Sequence, residues 1–175
     1  MRGQEKAVLG AVMLDNEAIH QVMESLQADD FYREPHRRIY ASMLRLSNEG
    51  EPIDLVTVSN RLKGDGSLEQ AGGAAYLTSL VDTLPTAAHV GSYAKIIREK
   101  AILRRLMEKA TEIITGGYSV TEDIEEYLDQ AEKGIFEIAQ RRIKQSFFPI
   151  KDVVKERFQA IEKLYENKEL VTGIP

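Results

Sequence analysis

The chain has 175 residues, 43% hydrophobic and 29% charged, which is enough apolar material for one packed domain with an appendage and too much for a disordered segment. It has no cysteine, so disulfide scaffolds, thiolate-bound zinc, iron–sulfur clusters and thiol catalysis are all excluded. Its net charge of −5 is a poor balance for a polyanion binder, and its longest apolar run, Ala7 to Leu14, is too short to cross a bilayer; with no signal peptide at the start, a soluble, cytosolic protein is expected.

Val8, Leu9, Val12 and Met13 recur at helical spacing and predict a helix over 5–14. Asn16 is placed to cap a second helix with the stripe Ile19, Val22, Met23 and Leu26. Asp29-Asp30-Phe31-Tyr32 reads as a turn with aromatic anchors. Pro35 suits the first turn of a third helix, whose stripe runs Ile39, Tyr40, Met43, Leu44, Leu46 and which closes at Asn48-Glu49-Gly50. Asp54 looks like the cap of a fourth helix ending near Lys63, with a short strand as the competing reading because Val56 and Val58 are β-branched. Ser67 and Gln70 have the spacing of a capping box and predict a short helix before Gly72-Gly73. Ala74 to Val81 resumes as helix, and Leu84-Pro85-Thr86 ends a compact head.

From His89 to Thr115 the pattern is continuously helical, with Ile96, Leu103, Met107, Ala110 and Ile114 on one broad face and Gly116-Gly117 as the stop. Thr121, with Glu122 and Asp123 behind it, starts a helix to about Ile143 that carries Ile124, Leu128, Ala131, Ile135 and Ile138. A short turn between two long helices predicts an antiparallel hairpin. After a break at Gln145 to Pro149, a last amphipathic helix is expected over about 151–167, with Val154, Phe158, Ile161 and Tyr165 on its stripe. The fold class is therefore all-α: a helical head over 1–88, a hairpin over 89–143 and a linker over 144–175. Both the hairpin and the last helix have more apolar face than their own neighbours need, so the chain reads as part of a larger oligomeric protein.

No pattern of residues points to catalysis. His20, His36 and His89 are far apart and in no metal-binding frame. Neither glycine pair fits a phosphate-binding loop, and no serine stands in a nucleophile pattern. The acidic cluster Glu122, Asp123, Glu125, Glu126 reads as a solvated helix start, and the basic run from Lys95 to Lys109 mostly as the outer face of a packed helix.

An ordered set of blocks resembles the bacterial replicative DNA helicases of the DnaB family. It comprises Glu5 to Leu14, Asp30-Phe31-Tyr32 with His36 to Tyr40, Pro52 to Val58, Leu68 to Leu77, Pro85 to Ala88, Tyr93 to Lys100 and the closing Thr172-Gly173-Ile174-Pro175. The resemblance spans essentially the whole chain and implies the N-terminal collar and linker of a hexameric helicase, in the bacterial cytoplasm at replication forks on the nucleoid. The family's phosphate loop and ATPase core would lie beyond Pro175, so no cofactor is expected here; ATP and magnesium would belong to that ATPase domain.

The implied partners are a second copy of the chain, as a dimer or as a trimer of dimers in the parent ring, the C-terminal domain of primase, a helicase loader, and single-stranded DNA mainly through the parent protein; no membrane is implied. Self-association is expected through Ile96, Leu103, Ala110, Ile124, Ala131, Gly134 and Ile138. Primase is expected at Tyr76, Arg104, Arg105, Met107 and Ile113, with the hairpin tip around Tyr118 as the next candidate. Val154, Phe158, Ile161 and Tyr165 are expected to dock the linker helix on the ATPase domain of an adjacent subunit. An autonomous DNA-binding module and a free-standing helical scaffold or adaptor are the competing function classes.

Overall fold

A computed structural model describes residues 2–82, 89–118 and 123–143, and among these every regular element is helical. In chain order they are α1 (Arg2–Leu14), α2 (Glu17–Met23), a 3-10 turn (Ala28–Asp30), α3 (Glu34–Glu49), α4 (Leu55–Gly64), α5 (Gly73–Asp82), α6 (Val90–Gly117) and α7 (Ile124–Ile143). The expected helix over 151–167, with Val154, Phe158, Ile161 and Tyr165, lies outside the described residues, as do Leu84-Pro85-Thr86 and Thr121.

Local chemistry sets several helix ends. Asp54 Oδ1 accepts from the amides of Val56 and Thr57, both at 2.8 Å, while Thr57 Oγ1 accepts from the Asp54 amide at 2.9 Å. This reciprocal cap starts α4 as a helix, and burial of Val58 and Leu62 on its inner face outweighs the strand preference of its β-branched residues. Gly50 ends α3 in the left-handed conformation at φ +71°, and Pro35 lies in that helix's first turn. The acidic start of α7 resolves onto one residue: Asp123 Oδ1 accepts from the amides of Glu125 and Glu126.

Two expected caps act differently. Asn16 makes no cap bond in α2; its Oδ1 accepts from the Ile53 amide at 2.6 Å, which ties the α1–α2 corner to the segment before α4. Ser67 and Gln70 do not open a helix. Residues 68–72 form turns closed by bonds from the Ala71 amide to the Ser67 carbonyl and from the Gly73 amide to the Leu68 carbonyl. Gly72 and Gly73, both at positive φ, take the chain out of helical geometry and end the segment as turns.

The core of the head surrounds α1, which is covered on nearly every side: Val8, Leu9, Ala11 and Val12 are almost wholly buried. The first half of α6 completes this core through Val90, Ala94, Ile97 and Ala101, packing along α1 and reaching α2 and the 3-10 turn. By compactness the chain divides after Ile138; beyond that point only the end of α7 is described.

Within the first unit α6 and α7 run antiparallel. Lys109 lies across Gly134, and seven residues further along α6 Gly116 lies against Tyr127, which is seven residues back along α7. The Tyr127 hydroxyl donates to the Ile113 carbonyl in the same seam. A Cβ at position 134 would land on the Lys109 side chain, so the glycine leaves room for that lysine stem.

Candidate functional site

Glu5 sits in the first turn of α1 and is almost wholly buried. Its Oε1 accepts from the Tyr32 amide at 2.6 Å, and its Oε2 lies 2.5 Å from His36 Nδ1. His36 is fully buried on α3, and its Nε2 lies 2.6 Å from the Tyr76 hydroxyl of α5. With a proton on Nδ1 the imidazole donates to the Glu5 carboxylate, and the Tyr76 hydroxyl lies within hydrogen-bond distance of its other nitrogen. Burial would push the Glu5 carboxyl up, but the bonds from His36 and the Tyr32 amide outweigh it and hold the group below its ordinary range. Burial pushes the Tyr76 phenol up, with the Arg33 charge opposing.

Tyr76 is the water-facing end of this chain. Its ring lies nearly parallel to His36, with centroids 6.0 Å apart. Lys6 and Arg33 sit over the ring at 5.5 and 5.8 Å, and Arg33 Nη1 also donates to the hydroxyl at 3.3 Å. The ring rests on Gly72, where a Cβ would come within 2.8 Å of it.

Arg104 of α6 donates from Nη2 to the Asp30 carbonyl at 2.6 Å and lies over the Tyr32 ring at 5.5 Å. Arg105 pairs with the buried Asp30 carboxylate at 2.8 Å, and the other oxygen of that carboxylate accepts from the Gln27 amide. Two consecutive arginines thus fasten α6 to the 3-10 turn, and Arg105 is committed to that fastening. Of the five expected primase residues, Tyr76 and Arg104 come together at this corner through the Tyr32–Arg33 segment. Met107 lies one turn along α6 and is 60% exposed. Ile113 lies further still, half-buried on the side turned to α7. Tyr118 at the hairpin tip is 90% exposed.

A second surface lies on the hairpin. Ile96, Leu103, Met107, Ala110 and Ile114 form one exposed stripe of α6, about 27 Å long at ~1.5 Å per residue. Ile124, Leu128 and Ile135 form an exposed stripe on α7. With the α6–α7 seam as pivot, helical periodicity turns both stripes to the same side of the hairpin. The seven expected self-association residues therefore divide. Ile96, Leu103, Ala110 and Ile124 are exposed on this face, whereas Ala131, Gly134 and Ile138 lie half-buried on the side of α7 turned to α6.

His20 and His89 are exposed, and among the described residues no group of three or more His, Asp or Glu side chains could hold a metal ion. Among the same residues no helix is long and apolar enough to cross a membrane. Sequence reasoning missed Glu5, Tyr32, Arg33, His36 and Lys6 as one corner. The bonds joining Glu5 to Tyr32 and His36, and His36 to Tyr76, span 27 to 40 positions, and the one available signal was a buried-spacing position of α1 occupied by an acid.

The profile of the DnaB-like helicase N terminal domain family matches residues 2–99. The replicative DNA helicase DnaC of Bacillus subtilis (strain 168) is 47% identical over 171 residues, covering 98% of this chain. The crystal structure of the N-terminal domain of DnaB helicase from Mycobacterium tuberculosis superposes with a TM-score of 0.75 at 43% identity, covering 78% of this chain and 96% of that one. A DnaB-like replicative helicase whose structure was solved with attention to its interactions with primase shares the fold, with a TM-score of 0.74 at 22% identity over 99% of this chain and 37% of that one. The chain spans 29–38% of the length of the curated replicative helicases it matches.

Proposed function

Because the chain belongs to the DnaB-like helicase N-terminal domain family, we propose that it is the N-terminal collar and linker of a hexameric replicative DNA helicase, which assembles through its hairpin and docks primase at the head–hairpin corner. The observation that carries this reading is the exposed apolar face of α6 and α7. Leu103, Met107, Ile114, Ile124, Leu128 and Ile135 are each 47–69% exposed on one side of a two-helix layer. Full burial of an exposed side chain of this kind contributes about 1.5–3 kcal/mol, and covering what remains exposed here about half of that each; a second hairpin of the same kind is the partner that fits. In this reading Ala131, Gly134 and Ile138 support the interface from behind by closing α7 on α6.

Primase is the second partner. Support comes from the relative described with its interactions with primase and from the juxtaposition of Tyr76 with Arg104. The parent protein would supply ATP- and magnesium-dependent motor activity, single-stranded DNA binding and loader contacts, working in the cytoplasm at replication forks. Val154, Phe158, Ile161 and Tyr165 would dock the linker on a neighbouring motor domain.

Sedimentation equilibrium tests assembly. The chain should reach dimers or trimers of dimers at micromolar concentration, and a strict monomer at high micromolar concentration would overturn the reading. A pull-down with the C-terminal domain of primase tests docking, with Tyr76→Ala and Met107→Ala as folded variants that lose it. A purified sample of the chain should not hydrolyse ATP.

A further inference from the structure

The corner carries a pattern that fastening α6 to the head does not require. Lys6 of α1 and Arg33, just before α3, both lie on the Tyr76 ring, and Arg104 of α6 lies on the Tyr32 ring. Arg33 follows Tyr32 directly, so Lys6, Tyr76, Arg33, Tyr32 and Arg104 make one continuous strip of alternating cations and aromatic rings. Among the described residues none of these three cations is in an ion pair with a carboxylate. The acids nearby are already engaged: Glu5 by His36 and the Tyr32 amide, Asp30 by Arg105 and the Gln27 amide, Glu34 by Arg37 and Arg38. Elsewhere Arg45, Arg61 and Lys109 each have an acidic partner. In a chain of net charge −5, the strip concentrates uncompensated positive charge on a surface where Tyr32 is 62% exposed.

We propose that this strip is the docking surface for an acidic segment of a protein partner, whose carboxylates are taken by Lys6, Arg33 and Arg104 while its apolar groups lie against Tyr32. The proposal rests on the reading that primase docks at this corner and names the chemistry primase would bring. Guanidinium forks fit carboxylates in a planar, two-point geometry, and the tyrosines hold those forks in place with little side-chain entropy left to lose. The same strip is a poor platform for single-stranded nucleic acid, because a bound strand stacks successive bases on successive open rings and here only Tyr32 keeps an open face. The Tyr76 ring already carries Lys6, Arg33 and the parallel His36 ring, and Tyr32 carries Arg104.

The test is titration of the chain with the C-terminal domain of primase from the same organism, and separately with a single-stranded oligothymidylate, at salt from about 50 to about 500 mM. Lys6→Gln, Arg33→Met and Arg104→Gln should each weaken primase binding about three- to tenfold, and the triple variant should lose most of its salt dependence. Arg33→Met keeps the apolar stem, so a loss there reports the charge, and Arg33→Lys should recover only part of the binding, because an ammonium restores the charge without the fork. Met107→Ala separates the two ideas. If it weakens primase while the charge variants bind like the parent, the strip proposal falls and the primase reading stands. If the parent chain does not bind primase, both fall. Salt-sensitive oligothymidylate binding that the triple variant loses would make the strip a nucleic-acid site and overturn the proposal. Circular dichroism must show each variant folded. Lys6→Gln alone disturbs only a ring contact and serves if the triple variant unfolds.

Discussion

His36 Nδ1 and Glu5 Oε2 lie 2.5 Å apart, with the two side chains 0% and 5% exposed. A carboxylate this deep in the head survives only because the imidazole and the Tyr32 amide replace its water. Its carboxyl is held below the ordinary value of 4.5 in the folded chain, so the ionised form stabilises the fold. That contribution is fully present above the unfolded value and is lost as pH falls through the lower folded one. Glu5→Gln should cost about 1.5–3 kcal/mol at pH 7. It should also flatten the acid limb of stability as pH falls below the ordinary carboxyl value of 4.5, read from urea midpoints over a pH series. An unchanged acid limb would mean that the pair does not sense protonation.

Gly72 carries two demands at once, a φ of +101° and a Cβ position 2.8 Å from the Tyr76 ring. Gly72→Ala should therefore destabilise by about 1–3 kcal/mol and shift the tyrosine. Gly91 lies in α6 with open space at its Cβ, so Gly91→Ala should stabilise by up to about 1 kcal/mol. Thermal unfolding of the two variants should move the melting temperature in opposite directions.

The exposed apolar face separates assembly from folding. Leu103→Asp and Leu128→Asp change side chains that are already about half exposed, so the monomer's stability should shift by less than about 0.5 kcal/mol. Their self-association should weaken at least about tenfold, the cost of a charge in an apolar contact. Ala101→Asp lies in the head core and should instead unfold the chain. Sedimentation and circular dichroism on the three variants distinguish the two effects.

Asp54 accepts two amide bonds at the start of α4 and receives the Thr57 hydroxyl in return. Asp54→Ala should cost about 1 kcal/mol, within the 0.5–2 kcal/mol usual for a lost cap. Asn16→Ala should act elsewhere, by freeing the Ile53 amide. Hydrogen exchange at Ile53 in that variant, with α2 amides unaffected, would confirm that Asn16 is a tertiary tie.

The seven described α-helices and most of their ends were legible in the sequence; the short helix expected from Ser67 and Gln70 does not form. Asp54 with Thr57, Pro35 and Gly50 act within three or four residues of themselves, and apolar spacing marks α3 and α7 as helices with one side to bury and α1 as a helix. The sequence also carried the family, through ordered blocks along the chain. Tertiary structure alone decided which faces are covered. α6 has two apolar stripes at helical spacing, and periodicity cannot rank them: packing on α1 buries Val90, Ala94, Ile97 and Ala101 and leaves Ile96, Leu103, Met107 and Ile114 outside. The α7 stripe divides in the same way, because only the seam with α6, set by Lys109 across Gly134, turns Ala131 and Ile138 inward. The Glu5–His36–Tyr76 chain joins residues 31 and 40 positions apart, and the strip beside it joins residues as far apart as Tyr32 and Arg104. Local hydrogen bonds and spacing act over one helical turn and are written in the order of residues. Contacts between helices depend on how their surfaces interlock, and that exists only once the helices are packed.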